Sequence, residues 1–159
     1  MSGAMGRAMG LDVGERRVGV AIADELGMIA SPLATIERRR GDLEEIRDLA
    51  ATRGVNLVVV GLPTGMSGRE GPQAATVRVF AEELRDVLGG RMAVEFWDER
   101  LTTAVAERAL REGSSRRNTR QQRKARIDAV AAAVILQGYL DARRPRGARG
   151  GSHDGAGAL

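Results

Sequence analysis

Residues 8–23 read AMGLDVGERRVGVAIA: two short apolar runs, Ala8 to Val13 and Arg17 to Ala23, joined by the turn Gly14-Glu15-Arg16. Runs of this length, rich in small and β-branched residues and divided by a glycine turn, are strands that pair with each other. A third run, Met28 to Glu37, extends the pair into a meander. One acid, Asp12, lies inside the first strand among apolar neighbours.

Beyond Gly41 the spacing becomes helical, with Leu43, Ile46, Leu49 and Ala50 on one face and a stop at Gly54. Asn56 to Val60 is an apolar, β-branched run suited to a strand covered on both faces, and it leads into the glycine-punctuated loop GLPTGMSGREG, residues 61–71. Pro72 opens a helix carried by Val77, Phe80, Ala81, Leu84 and Leu88 to the Gly89-Gly90 stop. Met92 to Trp97 reads as a fifth strand, followed by DERLTT and a helix over about Thr103 to Glu112. Thr119 and Gln122 fit a capping box for a last helix reaching about Ala142, nearly apolar all round from Ile127 to Leu140 and so expected to be mostly buried. The order β-β-β-α-β-α-β-α-α predicts an α/β fold, a five-stranded mixed sheet with helices on both faces. Residues 8–142 form its one domain, with a flexible extension at 1–7 and a disordered basic, glycine-rich tail at 143–159.

A chain of 159 residues suits one domain that buries about two-thirds of its unfolded surface, which disfavours a two-lobed cleft enzyme. Cysteine is absent and the only histidine is His153, in the tail. Disulfides, cysteine or histidine catalysis and His- or Cys-ligated zinc are therefore excluded within one chain. The longest apolar stretch, Ala129 to Leu136, is far shorter than the roughly 20 residues that cross a membrane, and no signal-peptide core is present. A cytoplasmic protein without membrane contact is the expectation.

The formal charge of +4 divides unevenly. Residues 108–126 hold eight basic side chains against Glu112, and residues 142–159 hold four arginines against Asp154, which leaves the rest of the chain net acidic. An acidic body with basic segments suits a polyanion gripped in one place and attacked in another; the plainer reading is that the arginines only solubilise. Arg116, Arg117, Arg120, Arg123 and Lys124 are the candidate phosphate contacts.

Three acidic positions stand at the ends of apolar elements: Asp12, the pair Asp98-Glu99, and Asp128. Taken singly, each could be a cap or an ion-pair partner. A central first strand would bring them together at one sheet edge. Carboxylates without histidine then point to a hard cation with oxygen ligands, Mg²⁺ or Mn²⁺. Such ions activate a water and steady the leaving oxygen of a phosphodiester. If the fifth strand runs to residue 98, alternation sends Asp98 and Glu99 to opposite faces, and only one can point into the site.

GLDVGERRVGVAIAD (10–24), GLPTGMSGREGPQA (61–74), DERLTT (98–103) and KARIDAVAAAVILQGYLD (124–141), in this order, resemble the YqgF/RuvX family. The resemblance covers roughly residues 8–142. It implies an RNase H-like fold and a nuclease that matures the 5′ end of the 16S ribosomal RNA precursor, or, by fold analogy, resolves Holliday junctions. The partner would be structured RNA or branched DNA, and the protein a monomer or homodimer. By the same resemblance Asp12 matches the first-strand metal ligand and Asp128 the last-helix ligand. Asp98-Glu99 matches the acidic pair, with Glu99 preferred as ligand. The fourth strand ends in GLP and lacks the glutamate that related resolvases carry there.

Two motifs keep two readings. The 61–71 loop either brings backbone N–H groups to phosphate or simply connects, and only the family match favours the first. Arg100 either holds the scissile phosphate or pairs with Asp98 or Glu95, and the pair is preferred. Asp12-Val13-Gly14 with Gly19 also resembles the phosphate loop of actin-like ATPases, whose second lobe this length does not allow. A non-catalytic nucleic-acid module is the alternative outside enzymes. It would have no need of all three acidic positions, and the scarce aromatics, Phe80, Phe96, Trp97 and Tyr139, argue against base stacking.

Overall fold

The computed structural model describes residues 6–64, 69–101 and 120–143, without the side chains of 121–124. Its elements are β1 (Arg7–Val13), β2 (Arg17–Ala23), β3 (Ala30–Glu37), α1 (Asp42–Thr52), β4 (Val55–Leu62), α2 (Pro72–Leu88), β5 (Ala93–Asp98), a 3₁₀ turn (Glu99–Leu101) and α3 (Arg120–Arg143). The predicted helix at 103–112, Thr119 of the capping box, and the tail from residue 144 lie outside the described residues.

The five strands form one mixed sheet in the order β3-β2-β1-β4-β5, so β1 is central as anticipated. β1 and β3 run antiparallel to β2, while β4 is parallel to both β1 and β5. Strand ends move by a residue or two from the sequence reading, for local reasons. β1 begins at Arg7, whose N–H donates to the Gly54 carbonyl at 3.0 Å. β3 begins at Ala30 rather than Met28, because the N–H groups of Met28 and Ile29 are drawn to the Asp24 carboxylate at 2.7 and 3.1 Å. Pro32, which has no N–H to donate, sits in β3 at the sheet edge, where a ladder bond is dispensable.

Side-chain alternation divides the sheet into two faces. Met9, Leu11 and Val13 of β1, Val18 and Val20 of β2 and Val58 and Val60 of β4 pack with Ile46 and Ala50 of α1 and with Val77, Phe80, Ala81, Leu84 and Leu88 of α2. Ala8 of β1, Ala21 and Ala23 of β2 and Val59 of β4 pack with Ala132, Ala133, Ile135, Leu136, Tyr139 and Leu140 of α3. The α3 face is thus built of small residues on the sheet side, which lets a long helix lie close to it. Burial of α3 follows the expectation except at Ile127, which is 56% exposed. The helix turns this residue away from the sheet, one position before Asp128.

β5 follows the same alternation. Glu95 accepts a hydrogen bond from Tyr139 Oη of α3 at 2.7 Å, and Trp97 meets the Tyr139 ring edge-on with centroids 5.9 Å apart. Phe96 lies on the other face, under the Arg78 guanidinium of α2 at 4.9 Å.

Candidate active site

The acidic residues gather where β1, β4 and β5 end and α3 begins. Asp12 shares its face of β1 with Ala8, so its half-buried carboxylate lies on the side covered by α3. Its register partner across the β1–β2 ladder is Gly19. A Cβ on Gly19 would stand 1.9 Å from the Asp128 carbonyl oxygen, so only glycine permits α3 to cross here. The Thr35 hydroxyl donates to the Ala125 carbonyl at 2.6 Å and ties the same end of α3 to β3.

Asp98 and Glu99 part as the alternation argument requires. Asp98 is the last residue of β5, beside Leu62 of β4 in the ladder. Its Oδ2 takes the Arg100 Nη2 at 2.7 Å, while its Oδ1 accepts from the Arg100 backbone N–H at 2.9 Å and from the Thr64 hydroxyl at 2.8 Å. The Arg100 guanidinium foremost, then its backbone N–H and Thr64, hold the Asp98 carboxyl well below the usual range. Asp98 therefore caps the 3₁₀ turn and stays charged. Glu99, the first residue of that turn, is half-buried, and its Oε2 lies 2.9 Å from where a Gly61 Cβ would stand. Glycine at 61 leaves the space that this carboxylate uses.

Asp12 and Glu99 carry unfavourable charge. Burial, then repulsion by Asp128, pushes the Asp12 carboxyl up to about 6. Burial, then Asp12, then Asp98, pushes Glu99 up to about 6 as well. Neither takes a cationic partner among the described residues. Half-buried carboxylates that repulsion by neighbouring acids raises, and that lack a counter-charge, offer the kind of oxygen donor a hard divalent cation takes. Asp128 differs, since its Oδ2 accepts from Arg17 Nε at 2.6 Å. Among the described residues, no three Asp, Glu, His or Cys side chains come close enough together to hold one metal ion.

The predicted phosphate contacts divide. Arg100 is engaged by Asp98, the arrangement preferred from sequence, while Glu95 goes to Tyr139. Arg120 is exposed at the start of α3; Arg116 and Arg117 lie outside the described residues, as do the side chains of Arg123 and Lys124. Of the 61–71 loop, residues 65–68 lie outside them too. Sequence reasoning missed Arg17 and Arg38. The Arg38 Nη1 donates to the Gly14 carbonyl at 3.1 Å and its N–H to the Arg16 carbonyl at 2.7 Å, which fixes the β1–β2 turn beside the site. The alternation of β2 held a signal for Arg17, a lone charge on the same face as Gly19 and Ala21.

A family model described as "RuvX: Holliday junction resolvase" matches residues 6–142. Among curated proteins, one from Moorella thermoacetica is 50% identical over 137 residues, covering 85% of this chain and 94% of the relative. One from Symbiobacterium thermophilum is 49% identical over 142 residues, covering 88% and 95%. Both carry the name "Putative pre-16S rRNA nuclease". Among solved structures, Thermus thermophilus RuvC in complex with a Holliday junction substrate aligns with a TM-score of 0.55 at 14% identity, covering 86% of this chain and 94% of that one. That likeness supports the RNase H-like fold.

Proposed function

The chain belongs to the RuvX family, and we propose that it is a divalent-metal-dependent nuclease that hydrolyses phosphodiester bonds in the 5′-end maturation of the 16S ribosomal RNA precursor. The observation that carries the chemistry is the pair Asp12 and Glu99, two carboxylates raised by burial and by repulsion among the acids, with no cation beside them among the described residues. The rRNA substrate is taken from the relatives' name, and it implies a cytoplasmic protein. Among the described residues no helix is long and apolar enough to cross a membrane.

Asp12, Glu99 and Asp128 are the residues that would hold Mg²⁺ or Mn²⁺. When bound, the ion would supply an activated water and neutralise charge at the scissile phosphate. Asp98 orients Glu99 by closing the turn that carries it, through the Arg100 N–H and Thr64. Arg120, together with Arg116, Arg117, Arg123 and Lys124, would hold the phosphate backbone beside the acids. A second reading, cleavage of a four-way DNA junction, is favoured by the family description; it would require two copies related by a two-fold axis.

Labelled precursor-rRNA mimics and four-way junctions, incubated with Mg²⁺, Mn²⁺ or EDTA, test the proposal. Cleavage of the RNA that EDTA abolishes supports it. Cleavage of junctions alone favours the second reading, and binding without cleavage in any metal makes the domain a non-catalytic module.

Two further outcomes are expected. Replacing Arg116, Arg117 and Arg120 by alanine should weaken binding and lower the slope of log affinity against log salt by about 2 to 3, at roughly 0.7 to 0.9 for each phosphate no longer neutralised. An unchanged slope in a fluorescence-anisotropy salt series would make the basic segment only solubilising. The second outcome concerns pH. Asp12 and Glu99 rise from ordinary values of 3.8 and 4.5 to about 6, so the folded state holds more protons than the unfolded state across that window. Metal-free stability should therefore fall as pH rises from about 4 to about 6, and a cation that replaces those protons should restore it. At one fixed concentration, about one hundred times the dissociation constant at neutral pH, Mn²⁺ should raise the melting temperature by roughly 5–10 °C near neutral pH, and by much less near pH 5. Equal shifts at both pH values would contradict the assignment.

A further inference from the structure

Of the three proposed metal ligands, Asp12, Glu99 and Asp128, only Asp128 is neutralised by a cation among the described residues. Arg17, two residues from Gly19 on the face of β2 that meets α3, reaches it across 111 positions of sequence. The contact is single: Nε donates to Oδ2 at 2.6 Å, and the two terminal nitrogens find no acceptor among the described residues. The pair is also open to solvent, with the Arg17 side chain 36% exposed and that of Asp128 26%. A partly exposed, one-point ion pair is weak and can be displaced. A phosphodiester offers the guanidinium two parallel bonds in place of one, and a divalent cation offers Asp128 a stronger partner than arginine.

Resting on the metal-site reading above, we propose that Arg17 is a counter-charge that competes with the divalent cation for Asp128. The arriving phosphate backbone takes Arg17 and frees Asp128 for the metal. With Arg17 in place Asp128 is neutralised without an ion, and no three-carboxylate group forms among the described residues. Metal and nucleic acid then favour one another's binding through this one side chain, and the coupling is reciprocal.

The test measures Mn²⁺ binding to the full chain by titration calorimetry and by the spin-resonance signal of free Mn²⁺. It is made with and without a short oligonucleotide bearing non-hydrolysable methylene phosphonate linkages. Without oligonucleotide, Arg17→Gln should bind Mn²⁺ at least about five-fold more tightly than the wild type, the low end of ordinary site-to-site coupling. Oligonucleotide should tighten Mn²⁺ binding to the wild type by a similar factor and leave Arg17→Gln unmoved. Asp128→Asn removes the contested acceptor, so it should abolish the coupling; this variant decides the matter if Arg17→Gln does not fold. Unchanged or weaker Mn²⁺ binding by folded Arg17→Gln, or coupling retained in Asp128→Asn, overturns the proposal. If Asp12→Asn also leaves Mn²⁺ binding untouched, the metal-site reading falls with it; if Asp12→Asn weakens binding, only the role of Arg17 falls.

Discussion

Asp12→Asn should lower cleavage by on the order of 10³-fold or more while leaving the protein at least as stable as before. The loss follows from what a metal-held water contributes to phosphodiester hydrolysis, several kcal/mol of transition-state stabilisation at about 1.4 kcal/mol per tenfold in rate. The retained stability follows from the cost of the native group. The Asp12 carboxyl is pushed up to about 6 by burial and by Asp128, and it is the largest charged neighbour raising Glu99. An amide of the same shape removes both repulsions. Glu99 should then titrate closer to its ordinary value, which carbon-detected NMR of the glutamate carboxyls would show. Single-turnover cleavage in saturating Mn²⁺ and a thermal melt form the paired measurement. A wild-type rate rejects the role of Asp12; a large drop in melting temperature means that Asp12 is structural.

Why Asp12 could be singled out from sequence, and the pairing of Arg17 with Asp128 could not, is a matter of range. Strand periodicity is local, so an acid inside AMGLDV must point to one of two covered faces, and the shift to helical spacing after Gly41 already implied cover on both. The same two-residue period separates Asp98 from Glu99 at the end of β5. It needed only the strand end, and Asp98 is that end. The Arg17–Asp128 pair spans 111 residues and depends on where α3 crosses β2, which no window of sequence contains. Ile127 fails for the same reason. The helix is apolar all round there, and only the crossing decides which side faces solvent. Arg100 lies between these cases, since its partner is two residues away, yet Glu95 was an equal candidate until Tyr139 claimed it.

The crossing itself can be tested at Gly19. An alanine Cβ there would meet the carbonyl oxygen of Asp128 at 1.9 Å, its carbonyl carbon at 2.4 Å and the Ala129 nitrogen at 3.1 Å. All three are backbone atoms of α3, so no rotamer change relieves the contact and the helix must move. Thr35 holds the Ala125 carbonyl one turn away, and the buried side chains from Ala129 onward hold the rest, so the movement opposes packing on both sides. Overpacking of this kind costs about 1–3 kcal/mol, or a melting temperature lower by roughly 2–12 °C at this size. The effect on cleavage should be larger than stability accounts for, since a shift of about 1 Å in a group that must meet the reacting atoms can cost on the order of 10²-fold. Gly71→Ala is the control for cleavage: its Cβ meets none of the described residues within 4 Å and its φ of −100° suits any residue, so the rate should stay at the wild-type value, while melting should fall only by what alanine costs at the N-cap of α2, about 1 kcal/mol. Gly19→Ala with wild-type melting and a wild-type rate would mean that the approach of α3 to β2 does not set the position of Asp128. A lower melting temperature with an unchanged rate, measured well below the melt, would mean that the contact holds the fold together and Asp128 takes no part in the reaction.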